Sequence, residues 1–442
     1  MDKLISKRLL PLLLVTIYLV TAAACKKEEE NKEFKADFTF SFKDDNHVIF
    51  ENASEGEYDL LIWDFGNGES DTTTDKNKSY EIYYPIAEDY SVSLKLGNSS
   101  GNTRLAKKTV TITSSDIVVS FTAEVNPSNP NEVLLENTTN GDFDSSSWLY
   151  RYKEIKDKQQ AVAYFPDQGT YEIELVIYIG SKGYSHTQNV IITQNDPNYL
   201  DRLSLVWSDE FDGTEVNLSN WTFETGATGW GNQELQNYTD GDNSEVIDGK
   251  LIITAEKIND NTQVGSYTSS RMVSKDKHEF RYGWMEIRAK LPSGRGIWPA
   301  IWMLGSNINE VSWPACGEMD IMEYVGYQPN VVHSTVHTPS GYGVNGSGSS
   351  MTVVTCEEEF HNYGVIWTEK KMIYYVDDPD NVVHTYAPPV KNDQNWPFDQ
   401  ETFFILNVAV GGTWGGAQGI DNSIFPTTLE IDYVRVYQET DE

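Results

Sequence analysis

Basic residues and cysteines are both scarce in this chain. Its 442 residues hold 33 Lys plus Arg against 67 Asp plus Glu, a formal net charge of −34. That excess excludes the basic footprint a nucleic-acid surface requires. It also weighs against polyanionic partners. The three cysteines, Cys25, Cys316 and Cys356, offer no zinc-ligand spacing, and the seven histidines are scattered. From Leu203 onward no convincing amphipathic helix is found. Tryptophan is sparse in the first 200 residues: only Trp63 and Trp148 lie there, and the other ten follow. A Trp-rich C-terminal half is either well packed or built to hold ligands with apolar faces.

The N-terminus reads as an export signal. Lys3, Lys7 and Arg8 precede an apolar run from Leu9 to Val20, which ends in Thr21-Ala22-Ala23-Ala24-Cys25. A basic start, a short apolar stretch and small residues mark a signal peptide, not a spanning helix. The Ala-Ala-Cys ending resembles a bacterial lipoprotein box, with Ala22 where Leu or Val is more usual. The resemblance implies that residues 1–24 are removed and that Cys25 is lipidated. It also implies an outer-membrane anchor, facing the cell surface or the periplasm. Residues 25–34 then form a charged, solvated tether.

Residues 35–195 contain an internal repeat. Val48-Ile49-Phe50-Glu51-Asn52 recurs as Val133-Leu134-Leu135-Glu136-Asn137, and Tyr90-Ser91-Val92-Ser93-Leu94 as Tyr171-Glu172-Ile173-Glu174-Leu175. Short alternating runs between Gly, Asn and Asp turns predict two small β-sandwich modules, 35–115 and 116–195. Trp63-Asp64-Phe65-Gly66-Asn67-Gly68 resembles the PKD-type immunoglobulin-like module; the second copy lacks that turn. No aromatic strip marks either copy, so the expectation is a spacer rather than a glycan-binding module. Asn195-Asp196-Pro197-Asn198 is the expected boundary.

The last domain, 200–442, is predicted to be all-β. Trp284-Met285-Glu286-Ile287-Arg288 and Ile431-Asp432-Tyr433-Val434-Arg435 alternate as strands do. About 240 such residues predict two large packed sheets, a jelly roll. Within it, Glu318-Met319-Asp320-Ile321-Met322-Glu323 reads as a buried strand interrupted by three carboxylates. Desolvating a carboxylate costs several kcal/mol, so acids rarely sit there without a task. Glu318 and Asp320 share a face. Glu323 is an odd number of residues from Glu318, so a regular strand turns it away. One β-bulge brings all three to one face, and bulges are common beside active sites. Paired acids on one sheet face point to glycosidic-bond chemistry, which needs one ionised and one protonated carboxyl.

Trp313-Pro314-Ala315-Cys316-Gly317-Glu318-Met319-Asp320-Ile321-Met322-Glu323-Tyr324 resembles the active-site strand of glycoside hydrolase family 16, in its laminarinase-like branch. Trp207-x-Asp209-Glu210-Phe211, Gly231-Asn232-Gln233-Glu234, Gly296-Ile297-Trp298-Pro299-Ala300-Ile301-Trp302 and Asn407-Val408-Ala409-Val410-Gly411-Gly412 follow the same family in order. The resemblance implies a concanavalin-like jelly roll with an open glycan cleft. It implies an endo-acting, retaining hydrolase of β-1,3-glucans such as laminarin. Glu318 is then the nucleophile, Glu323 the acid/base and Asp320 the acid between them. Asn232, Arg271, Trp298, Trp302, Trp313, His337, Trp414 and Gln418 are the implied sugar contacts. A structural calcium is implied at Glu210, the Gly249 carbonyl and Asp432; no cofactor is implied for catalysis. A mixed-linkage β-1,3-1,4-glucanase, an agar-type galactan hydrolase and a non-catalytic surface glycan-binding protein are the alternatives. A monomer is expected, and the pairing of Cys316 with Cys356 stays open.

Overall fold

In the computed structural model, the described residues are 34–440. Cys25, the signal segment and most of the tether lie outside them. Strands dominate. Among the described residues, Ile308–Val311 is a single α-helical turn, and three short 3-10 turns accompany it. No helix among them is long and apolar enough to cross a membrane.

The chain divides into two compact units. One comprises the residues up to 120 with 138–147 and 176–186; the other comprises 121–137, 148–175 and everything from 187. In the first, a sheet of Phe38–Phe42, His47–Asn52 and Tyr80–Tyr83 accompanies a four-stranded sheet. Alternating apolar residues supply the core around Trp63, whose ring stacks on Phe65 at 5.6 Å. The Asp-Phe-Gly-Asn-Gly turn needs its first glycine. Gly66 has φ of +76°, and a Cβ there would fall 2.8 Å from the Ser91 carbonyl oxygen.

In the second unit a seven-stranded antiparallel sheet carries the cleft. Its strands are β1 (Thr222–Phe223), β2 (Arg271–Val273), β3 (Ile297–Gly305), β4 (Glu318–Tyr324), β5 (Val331–His337), β6 (Ser347–Thr352) and β7 (Thr402–Val410). The spatial order is β1-β2-β7-β3-β4-β5-β6. A ten-stranded sheet packs on its other face. Met319, Ile321, Met322 and Tyr324 of β4 share one apolar core with Ile287, Val365 and Val434 of that sheet. The predicted jelly-roll sandwich is therefore present.

The same unit contains a seam outside this core. Trp284, Ile366, Ile373 and Tyr375 lie on the ten-stranded sheet, and they pack with Tyr164 and Tyr199 from the preceding sequence. Beside them the Arg151 side chain is fully buried. Its Nε donates to Glu369 Oε1 at 2.6 Å and its second terminal nitrogen to Glu439 Oε1 at 3.0 Å. Lys371 pairs with Asp167 at 2.6 Å. The expected boundary segment is tied down as well: Tyr164 donates to Asp196 at 2.7 Å, and Arg202 lies 3.3 Å from Asp196.

Candidate active site

The bulge lies where the residue count requires it. On one side of β4, Ile301 pairs with Met322 and Trp302 with Asp320, so Ile321 is skipped. On the other, Asp320 pairs with Thr335 and Glu323 with His333. Ile321 and Met322 therefore both turn into the core, while Glu318, Asp320 and Glu323 all face the cleft. The carbonyl of Ile321 accepts the buried Ser334 hydroxyl at 2.9 Å. That bond satisfies an acceptor within the disrupted stretch of ladder.

Tryptophans on neighbouring segments address the acids. Trp313 donates its Nε1 hydrogen to Glu318 Oε2 at 2.7 Å, and Trp298 donates to Glu323 Oε1 at 3.0 Å. His337, the cross-strand partner of Glu318, places Nε2 3.7 Å from Glu318 Oε1 and 3.2 Å from Asp320 Oδ2. Burial raises all three carboxyl pKa values. Glu318 is pushed up to about 8 by burial and then by the Asp320 charge, against the pull of His337 and Trp313. Glu323 is pushed up to about 7 by burial and then by Glu318, opposed by the Trp298 hydrogen bond. Asp320 is raised well above the carboxylate range by burial and then by Glu323. Three such acids cannot all ionise together near neutrality, so protons are shared among them. One carboxylate and one carboxylic acid on the same face is the condition that acid-assisted displacement needs.

The cleft, of ≈ 350 Å³, extends from these acids along an aromatic wall. Trp298 and Trp302 share a face of β3, as their spacing predicts. Arg271 lies between two rings, 4.8 Å from Trp302 and 4.9 Å from Trp230, and pairs with Glu224 at 2.5 Å. Trp302 donates to Asn407 at 2.7 Å, Asn407 to the Tyr238 hydroxyl at 3.0 Å, and that hydroxyl reaches Glu234 at 3.4 Å. Asn232 and Gln236 also donate to Glu234, at 3.0 and 2.6 Å. Burial raises the Glu234 pKa against these donors. Trp414 is not among the lining residues; its partly exposed ring is edge-on to Trp298 at 5.4 Å and to His333 at 4.9 Å. Gln418 is exposed on the segment after β7, outside the cleft lining.

Trp230, Glu234, Tyr238 and Asn407 are cleft or supporting residues to which sequence alone assigned no role, although Glu234 and Asn407 stand in the family motifs. The signal was available for Asn407, the sole polar side chain between Phe403 and Val410 of β7. Cys316 and Cys356 are both buried and free. Burial pushes their thiols up to about 11 and about 12.

Of the implied calcium set only Asp432 sits within a strand of the ten-stranded sheet; Glu210 directly follows the adjoining strand that ends at Asp209, and Gly249 lies in the turn before the strand that begins at Lys250. Asp209, beside Glu210, pairs with Val434, and Leu251, just beyond Gly249, pairs with Ile431. Both carboxylates are engaged by guanidinium groups: Glu210 by Arg435 at 2.8 and 2.9 Å, Asp432 by Arg288 at 2.5 Å. Arg435 holds the Glu210 carboxyl below its usual range. The donors are the hard oxygens calcium takes, but they stand here as ion pairs.

The family model for glycosyl hydrolases family 16 matches residues 231–435, the stretch that contains this cleft. A beta-glucanase of Rhodothermus marinus is 45% identical over 246 residues, which span 53% of this chain and 85% of that protein. The chain belongs to glycoside hydrolase family 16. Among solved structures, this glycosidase resembles the laminarinase of Flavobacterium sp. UMI-01, with 47% identity and a TM-score of 0.50 over 53% of this chain and all of that one. It also resembles the laminarinase of Rhodothermus marinus, with 43% identity and a TM-score of 0.51 over 54% of this chain and 98% of that one.

Proposed function

We propose that this glycosidase is an endo-β-1,3-glucanase that cleaves internal bonds of laminarin-like glucans with retention of configuration. One observation carries the proposal: the bulge in β4 turns Glu318, Asp320 and Glu323 together onto the cleft face. Glu318, ionised, attacks the anomeric carbon. Glu323, protonated, gives its proton to the leaving oxygen, so the aglycone departs as a neutral alcohol and a glycosyl ester remains on Glu318. Glu323 then takes a proton from water, which attacks the ester and frees Glu318. A proton held on Asp320 and shared with Glu318 keeps the nucleophile anionic at the start. Trp298 and Trp302 offer rings to the apolar faces of glucosyl units. The relatives named laminarinase and beta-glucanase support this substrate class.

Product analysis on laminarin, lichenan and agarose tests the reading. Oligosaccharides from laminarin, released first as the β-anomer, are expected. Release from agarose alone, or binding of laminarin without turnover, would overturn it. The N-terminal repeats are read as PKD-type spacers and Cys25 as the lipid anchor that tethers the glucanase to the outer membrane. Fatty-acid labelling in a bacterial host, lost in Cys25→Ser, is the corresponding test. A structural calcium at Glu210, the Gly249 carbonyl and Asp432 requires Arg435 and Arg288 to swing away. If it binds, EDTA lowers Tm by about 2–4 °C for each kcal/mol lost.

A further inference from the structure

We propose that the catalytic end of the cleft is also an inhibitory site for a borderline divalent transition ion such as Zn²⁺, held by Glu318, Asp320 and His337. One donor atom from each residue lies within 4.8 Å of the other two. Ligands at about 2.0–2.1 Å around a tetrahedral ion stand about 3.3–3.4 Å from one another. The two separations measured from His337 Nε2, 3.2 and 3.7 Å, bracket that edge. Two of the three donor separations therefore sit near a tetrahedral edge, and the third, between the carboxylates, lies within 4.8 Å.

Burial adds a second observation. Asp320 is 2% exposed, and its Oδ2, with only His337 Nε2 beside it at 3.2 Å, makes no well-directed hydrogen bond. A buried acceptor left in that state is uncommon and calls for a cation or a proton. The position is also rigid. Glu318 and His337 are direct partners across β4 and β5, and Asp320 is one pair further on. Gly346 closes over the imidazole from behind: a Cβ there would lie 2.6 Å from His337 Nδ1 and Cε1. Two carboxylates and one imidazole suit zinc and its neighbours, whereas calcium and magnesium want six or more oxygens. The remaining position of the tetrahedron faces the cleft, where a water or a sugar hydroxyl completes it. An ion here takes the lone pairs of Glu318 that would attack the sugar, so ion and glucan exclude each other.

The test uses the full chain, freed of metal with EDTA and then titrated with Zn²⁺ and Co²⁺. One calorimetric site well above the weak binding of an acidic surface is expected, and Co²⁺ at that site gives the intense visible band of a tetrahedral complex. His337→Ala and Asp320→Asn each weaken this site at least about 10-fold. The near-isosteric Asp320→Asn serves if the histidine variant fails to fold. Added laminari-oligosaccharide displaces the ion, and Zn²⁺ raises KM for laminarin with kcat unchanged. The proposal is overturned if the Co²⁺ band is absent or survives both substitutions, or if Zn²⁺ lowers kcat at unchanged KM. Calorimetry and the Co²⁺ spectrum do not depend on the glucanase reading, so its failure would be separately visible.

Discussion

At Glu323, burial and an indole hydrogen bond act in opposite directions on one proton. Burial holds the carboxyl protonated up to about pH 7, and the Trp298 N–H, which favours the ionised form, limits that rise. A general acid works only while protonated, so activity is expected to fall as pH rises through about 7. Trp298→Phe removes the donor and keeps a ring. The Glu323 pKa then rises further, and the alkaline limb of the kcat/KM profile moves to higher pH; an unchanged limb would show that the bond does not tune the acid. Asp320 makes a stability prediction. Burial and then Glu323 raise its carboxyl well above the ordinary value of 3.8 that it regains in an unfolded chain. As pH rises above that ordinary value the folded acid keeps a proton that the unfolded chain releases, so stability falls. Asp320→Asn has no such proton to keep. Its Tm relative to the parent is expected to climb as pH rises from about 4 towards neutrality, as scanning calorimetry would measure. Both acids were legible in the sequence, because carboxylates in an apolar strand are conspicuous. Glu234 was not, since what makes it a buried partner of Trp302 is a relay through Asn407, far away along the chain.

The bulge in β4 works at the scale of an element. Counting residues between Glu318 and Glu323 was enough to require it. The count could not say that Ile321 and Met322 form the doubled pair, nor that Ser334 accommodates the kink, because those depend on the register of β3 and β5. Ser334→Ala leaves the Ile321 carbonyl buried without its donor, at a cost of about 1–3 kcal/mol. Urea unfolding would measure that loss. Because the kink aims Glu323, kcat is expected to fall more than KM rises; equal loss of neither would mean that the strand holds its shape without the hydroxyl. The strands themselves were legible from their alternation. The small cluster of Val273, Leu304, Cys316, Phe403 and Ile405 was not, because it joins residues on several strands that periodicity treats separately.

At the scale of the whole molecule, the sequence divided the chain by repeats and composition, and both signals are local. Arg151 escapes them: its partners Glu369 and Glu439 are 218 and 288 residues away. Cutting the arginine back leaves Glu369 without that cation and Glu439 with Lys153 at 3.2 Å. Breaking such a buried pair costs about 3–5 kcal/mol. Arg151→Ala is therefore expected to lower the denaturant midpoint of the glucanase unit while leaving its pH–rate profile in place. An unchanged midpoint would mean that the seam carries no stability. The residues around Arg151, Tyr164 and Asp167 are therefore no detachable handle for engineers. Trimming the protein to residues 200–442 would strip Trp284, Ile366 and Tyr375 of the aromatic rings that shield them, and the trimmed enzyme would clump through that bared patch.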